Sequence, residues 1–407
     1  MRPLPERAKE TMDPTLSLIG RSEPLFDADL LRHDAELAET VRSASFLVIG
    51  GGGTIGQAVC REIFRRSPGK LHVVDISENG LVELVRDLRS SFGYIPGEFR
   101  TFVVDAGSSI FETLVQAEGP YDYILNLSAI KHVRSERDPY TLMRMVEVNI
   151  LNTERTVRLA IRGGAKKYFA VSTDKAADPV NMMGASKRIM ELFLSHHSQE
   201  IPISTARFAN VAFSDGSLLH GFRMRLMKRQ PLAAPSDIRR YFITQRESGE
   251  LCLLSSLLGK NREILIPKLD GRLRLISLED VARRFLASQG YKAHPCESEE
   301  EARKSTEKLI PKGLWPCYFS PSDTTGEKPF EEFRGADDEV LENRFQTVDV
   351  LRLPTWENAE KLRRFLERIE HIRQQEQWEK REIRALFQDL LPGFRHEETG
   401  HSLDEKM

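Results

Sequence analysis

Residues 45–66 read SFLVIGGGGTIGQAVCREIFRR, and their order decides the fold: a short apolar run, a glycine cluster, then a helical pattern. Gly50, Gly53 and Gly56 form G-x-x-G-x-x-G between the two, with Thr54 and Ile55 inside the turn. Glycines let the backbone turn tightly and approach a pyrophosphate, and the following helix aims its N–H groups and positive dipole end at that anion. Asp75 ends the next apolar run about 20 residues on, where a carboxylate can accept hydrogen bonds from an adenosine ribose. Its charge opposes a 2′-phosphate, so NAD is expected rather than NADP. Asp75 also has a plainer reading as a turn or helix-start residue. Asp105, at the end of the third run, suits either an adenine contact or a simple cap.

Outward from the glycines, apolar runs alternate with amphipathic ones. KLHVVDIS (70–77), EFRTFVVDA (98–106), YDYILNLSA (121–129), KKYFAVST (166–173) and ISTARFANV (203–211) read as strands. Residues 80–92, 152–164 and 186–197 read as helices between them. This alternation predicts an α/β fold, a doubly wound parallel sheet covered on both faces. The expected division is a polar extension over 1–43 with one short helix near Ala35, and an NAD-binding Rossmann domain over 44–215. A smaller substrate-binding region, partly interleaved with it, is expected over 216–350, and a charged helical tail over 351–407. Leu362, Phe365, Leu366, Ile369 and Ile372 lie at helical spacing in that tail, which predicts a helix packed on its own domain rather than a subunit contact.

The chain has 407 residues, 59 basic and 61 acidic, for a net charge of −2. That balance gives no footprint for nucleic acid. No apolar run approaches the roughly 18 residues a membrane span needs, and MRPLPERAKETMDPTLSLIG lacks the apolar core of a signal peptide. Cys60, Cys252, Cys296 and Cys317 share no C-x-x-C spacing, so neither a metal site nor a disulfide framework is expected. A cytoplasmic homo-oligomer is the expectation.

Ligands of open α/β sheets bind beyond the carboxyl ends of the strands. The fourth run ends near Ser128 and Ala129, with Lys131 and His132 following. The fifth leads into VSTDKAADPVNMMGASKR (171–188), which carries Thr173, Asp174, Lys175, Met183 and Lys187. A hydroxyl, a carboxylate and several lysines suit a carbonyl/alcohol centre with further proton transfers. Many short-chain dehydrogenases carry Tyr-x-x-x-Lys here, and Met183 stands at the tyrosine's position. A thioether cannot transfer a proton, so another residue must do that work.

GGGGTIG, LSAIKHV, STDKAADPVNMMGASKR, ARFANV and RRYFIT together resemble the CapD-like polysaccharide-biosynthesis group of extended short-chain dehydrogenases/reductases. That group includes UDP-N-acetylglucosamine 4,6-dehydratases, and some of its members show Met-Gly-Ala-Ser-Lys. The resemblance implies an internal redox cycle on a nucleotide sugar: C4 oxidation by NAD, loss of the C5 proton and the C6 hydroxyl, then hydride return to C6. It implies that Lys187 orients the nicotinamide ribose, Thr173 binds the C4 hydroxyl, Asp174 is the acid at C6 and Lys175 the base at C5. Lys131, His132, Asn210, Arg225 and Arg240 are the implied substrate contacts, with Arg239 and Lys228 offering the same charge as the arginines. A C4 or C5 epimerase uses the same oxidation and keeps the C6 oxygen. A non-catalytic dinucleotide or nucleotide-sugar sensor would have lost the acid/base set.

Overall fold

The computed structural model describes residues 13–323, 326–336, 338–341 and 344–396. They form two compact units. The larger comprises Phe26–Ala209, Gln245–Lys268 and the chain from Asp323 onwards; the smaller comprises the chain up to Leu25, Asn210–Thr244 and Leu269–Ser322.

The larger unit is built on eight strands: β1 (Ser45–Ile49), β2 (Lys70–Asp75), β3 (Glu98–Val103), β4 (Tyr123–Asn126), β5 (Lys167–Val171), β6 (Ile203–Ala206), β7 (Glu263–Pro267) and β8 (Val348–Arg352). They lie in the order β8-β7-β6-β5-β4-β1-β2-β3. Every pairing is parallel except β7 with β8, where Ile264 faces Leu351. Phe46, Leu47 and Val48 are fully buried, as a strand covered on both faces requires. β1 pairs with β2 on one side and β4 on the other. The winding reverses there, which opens a crevice at the carboxyl ends of these strands.

The linear division expected above differs from these units in three places. The apolar run 203–211 is not one strand: β6 stops at Ala206, and Asn210–Val211 pairs with Arg239–Ile243 in the smaller unit. The chain then returns to the larger unit through the helix Gln245–Leu258, because Gly249 lets that helix seat on the Ala58 backbone; a Cβ there would come within 2.6 Å of the Ala58 carbonyl oxygen. Residues 13–43 are not a polar extension. They form the helices Pro14–Leu18, Asp27–Arg32 and Asp34–Ser43, and Phe26, Leu30, Leu37 and Val41 are buried. The buried Asp29 carboxylate accepts from the Gln346 and Thr347 N–H groups at 2.8 and 2.7 Å, which ties this segment beside β8. Residues 1–12, most of the stretch read for a signal peptide, lie outside the described residues.

The tail forms two helices, Ala359–Arg373 and Lys380–Leu390. Leu362, Phe365, Ile369 and Ile372 share one buried cluster with Met182, Met183 and Ile189 of the helix Met182–His197, and Leu366 packs against its edge. The spacing therefore reports core packing within the larger unit; residues 397–407 lie outside the described residues.

The smaller unit holds two three-stranded sheets. Its core gathers Leu219, Phe222, Phe285 and Trp315, with Leu18 and Ile19 from the N-terminal segment.

Candidate active site

The glycine turn is shaped by contacts that no larger residue could make. Gly50 has φ +80°, and a Cβ on it would lie 2.6 Å from the Ser128 backbone nitrogen. A Cβ on Gly56 would lie 2.6 Å from the Gly51 Cα and closer still to the Gly50 carbonyl oxygen. Gly53 caps the helix Thr54–Phe64 without a side-chain hydrogen bond. A helix start with no side-chain cap beside a tight glycine turn fits a pyrophosphate. Asp75 accepts from the Gly52 N–H and the Ser77 N–H, both at 2.8 Å, so its carboxylate also braces the turn. The turn, Asp75 and Ser128 thus meet at the reversal of the strand order, and Ala129 follows Ser128 half-buried. Asn126 at the end of β4 holds Ser128, accepting from its N–H at 3.1 Å and its hydroxyl at 2.6 Å.

Of the two roles expected of Asp105, the cap is present. It accepts from the Gly107 N–H at 2.8 Å, a cap, and from Arg144 at 2.9 Å. Burial opposes its charge, but these two donors hold the carboxyl below its usual range. It also lines a 690 Å³ cavity with Ser108, Asn152, Arg155 and Arg373.

β5 delivers the proton-handling residues. Beyond Val171 the chain enters a one-turn 3-10 helix, Asp174–Ala176. The Thr173 hydroxyl donates to Asp174 Oδ1 at 2.7 Å, and Lys175 donates to the same oxygen from its N–H at 2.9 Å and its Nζ at 3.2 Å. One carboxylate oxygen therefore gathers both neighbours, and Asp174 is buried. Asn181 then caps the helix Met182–His197, accepting from the Gly184 N–H at 2.8 Å.

Lys187, one turn further, is buried and donates to the Val171 carbonyl oxygen at 3.1 Å. Burial drives its ammonium down to about 8, against a smaller opposing pull from Glu191. Met183 is buried in the apolar cluster described above.

Two supports escaped the sequence reading. Asn149 sits in the π-helical turn Glu147–Leu151. Its Oδ1 accepts from the Ile130 N–H at 2.9 Å, and its Nδ2 donates to the Ile130 carbonyl at 3.0 Å and Ser186 at 2.9 Å. It thereby joins the loop after β4 to the Lys187 helix. The widened turn is a mark that π-bulges leave at functional sites, but periodicity cannot show it. The second is Glu191, fully buried, which accepts from Ser172 at 2.7 Å and from Arg207 at 2.9 and 2.7 Å. Arg207 also reaches Asp338 at 2.6 Å.

The remaining residues are placed less directly. Lys131 is exposed and His132 half-buried, and burial, then Lys131 and Arg134, lower the histidine's basicity. In the smaller unit Arg240 is buried and donates to the Arg239 carbonyl oxygen at 2.9 Å. Among the described residues Asn210 Nδ2 and Arg225 Nε are buried donors without a hydrogen-bond partner, whereas Arg239 and Lys228 are exposed. Orphaned buried donors are rare in folded proteins, and a ligand would satisfy them.

Residues 46–312 match the family model described as polysaccharide biosynthesis protein. The chain belongs to this family. Among relatives, an uncharacterized membrane protein of Methanocaldococcus jannaschii is 29% identical over 282 residues, covering 67% of this chain and 81% of that one. The capsular polysaccharide biosynthesis protein CapD of Staphylococcus aureus is 27% identical over 72% of this chain, which spans 47% of CapD's length. An inverting UDP-N-acetylglucosamine 4,6-dehydratase of Campylobacter jejuni is 26% identical, covering 55% of this chain and 67% of the enzyme. The solved structure of Pen from Bacillus thuringiensis superposes with a TM-score of 0.63 at 23% identity, over 78% of this chain and 90% of that one. The fold is thus the Rossmann fold of extended short-chain dehydrogenases/reductases. Among the described residues no helix of this family member is long and apolar enough to cross a membrane.

Proposed function

We propose that this chain is an NAD-dependent nucleotide-sugar 4,6-dehydratase acting on UDP-N-acetylglucosamine in the synthesis of a surface glycan. The observation that carries this reading is the continuous hydrogen-bonded set Thr173–Asp174–Lys175 beyond β5. Gly50, Gly53, Thr54, Ile55 and Gly56 would hold the pyrophosphate of NAD and Asp75 its adenosine ribose, with Asp105, Ser128, Ala129 and Lys187 lining the rest. NAD supplies the acceptor and donor of the hydride.

The proton account closes on this chain's own side chains and water. A proton passing from Lys175 to Asp174 across their 3.2 Å hydrogen bond makes an acid and a base together. Lys175 then takes the C5 proton while Asp174 protonates the departing C6 oxygen, and Lys175 returns a proton to C5. At the earlier oxidation step the proton shed by the C4 hydroxyl passes through Thr173, whose own hydrogen points at Asp174 Oδ1, and leaves from Asp174 to water before the lysine's proton crosses. The set gives one proton to water and receives one back. No step needs a tyrosine, so Met183 can stay buried in its apolar cluster. The positive charge of Lys187 favours the alkoxide at C4. Lys131, His132, Asn210, Arg225 and Arg240 are the proposed substrate contacts, the orphaned donors of Asn210 and Arg225 supporting two of them.

An acid able to reach the C6 oxygen distinguishes dehydration from epimerisation, and Asp174 supplies one. The test is incubation with UDP-N-acetylglucosamine in deuterated water, followed by mass spectrometry and proton NMR. A product lighter by one water, with deuterium at C5 and a new C6 methyl group, is expected. Deuterium gain without water loss would favour an epimerase, and no reaction across a panel of nucleotide sugars would favour a sensor.

A further inference from the structure

Within the stretch SDTTGEKPFEEF (322–333), to which the sequence assigned no chemistry, residues 326–333 lie against the proton-handling turn; residues 324 and 325 are outside the description. The Gly326 carbonyl oxygen accepts from Asn181 Nδ2 at 2.8 Å. Lys328 Nζ donates to the Asp178 carbonyl oxygen at 2.7 Å and pairs with the Asp178 carboxylate at 2.6 Å. Phe333 is buried, and its carbonyl oxygen accepts from Arg207 at 3.2 Å. These anchors fix a strap along residues 173–181.

Midway along the strap is Glu331, 4% exposed, with its Oε1 3.8 Å from Lys175 Nζ. The Lys175 amine therefore stands between two carboxylates, Asp174 at 3.2 Å and Glu331 at 3.8 Å. A buried carboxylate is costly unless an opposite charge meets it, so the placement of Glu331 against this lysine is a structural commitment. Asp174 alone already pairs with Lys175. Once Asp174 has taken the lysine's proton their ion pair is gone, and the Glu331 carboxylate is then the charged acceptor facing the amine's N–H groups on a four-carbon stem otherwise free to swing.

We propose that Glu331 is a positioning residue that keeps the Lys175 amine in place while Asp174 is uncharged. This makes the strap part of the catalytic apparatus. The role rests on the dehydratase reading for its purpose, but the contact itself does not.

The first test needs no substrate. Trace acylation of the whole chain with acetic anhydride, read by peptide mass spectrometry, compares Lys175 with the exposed Lys166. An amine engaged by two carboxylates acylates slowly, because its nitrogen must leave them before it can attack. Lys175 should react at least about threefold faster in Glu331→Gln, with the rate restored towards that of the unmodified chain in Glu331→Asp. Equal rates in the unmodified chain and Glu331→Gln would overturn the proposal. The second test uses UDP-N-acetylglucosamine. Deuterium entry at C5 should fall about tenfold to a hundredfold in Glu331→Gln, while cofactor reduction at 340 nm changes less than about twofold. A parallel loss of both signals would mark a merely structural role. If the unmodified chain turns over no nucleotide sugar, the dehydratase reading fails, and acylation alone decides whether Glu331 holds Lys175.

Discussion

Replacing Arg207 with methionine tests the support beneath the catalytic turn. Arg207 is fully buried and bonds Glu191 through two nitrogens, at 2.9 and 2.7 Å. Burial pushes the Glu191 carboxyl up, but Arg207, with help from Arg188 and Ser172, holds it at about 2, well below the ordinary 4.5. That depression, at about 1.36 kcal/mol for each tenfold change in proton affinity, corresponds to about 3 kcal/mol. Breaking a buried ion pair from one side costs a similar 3–5 kcal/mol, roughly, because the other charge stays behind. Because the carboxyl is depressed in the folded chain, its contribution is complete above pH 4.5 and is lost as pH falls towards 2. In Arg207→Met, burial is no longer offset as strongly and Glu191 protonates more readily. The variant should therefore be about 3 kcal/mol less stable at pH 7, and the gap should narrow by pH 4. Urea unfolding followed by far-ultraviolet circular dichroism measures both. A loss below about 1 kcal/mol at pH 7, or an equal loss at the two pH values, would refute the charge argument.

Gly56→Ala should lower NAD affinity at least about tenfold, since the added methyl must displace the Gly50–Gly51 backbone; calorimetric titration with NAD checks it. Met183→Leu should keep turnover within about threefold, because only volume is asked of that side chain; a hundredfold loss would return chemistry to the sulfur. Lys187→Met should abolish turnover while stabilising the fold by about 1–3 kcal/mol at pH 7, since it removes a buried ammonium. The sign follows from the depressed amine. Between about pH 8 and 10.5 the unfolded chain holds the extra proton, so the unmodified protein gains stability with rising pH and the advantage of the variant fades. A destabilised Lys187→Met at pH 7 would contradict this.

What the sequence made legible was whatever depends on local order. The strands β1 to β5, the glycine turn and the triplet Thr173–Asp174–Lys175 follow from apolar runs and the residues that end them. Pairs distant in sequence were not legible. Ser172 and Arg207 meet only through Glu191, 16 residues before the arginine, and Glu331 meets Lys175 only once the strap is laid down. ISTARFANV misled because an apolar run carries no mark of where a chain leaves one sheet for another. The N-terminal segment misled in the opposite sense. Its mean polarity hides Leu16, Leu18, Phe26 and Leu30, each buried.

Met183 shows how the chemistry and the packing are connected. Its side chain shares an apolar cluster with Met182, Ile189 and the tail residues Leu362, Phe365 and Ile369. A tyrosine at this place would bring a hydroxyl that needs a hydrogen-bond partner on burial. A thioether has no such need, so the helix can bury this position against its neighbours. The proton work then falls to groups that remain hydrogen-bonded to one another at the end of β5, and those groups need a fixed charge environment. Glu331 on the strap supplies such a charge, while Asn149, Glu191 and Arg207 tie together the elements around the set. The acid/base set and its supports should therefore be tested as one device: a variant that spares Thr173, Asp174 and Lys175 but frees the strap should lose proton exchange at C5 before it loses hydride transfer at C4.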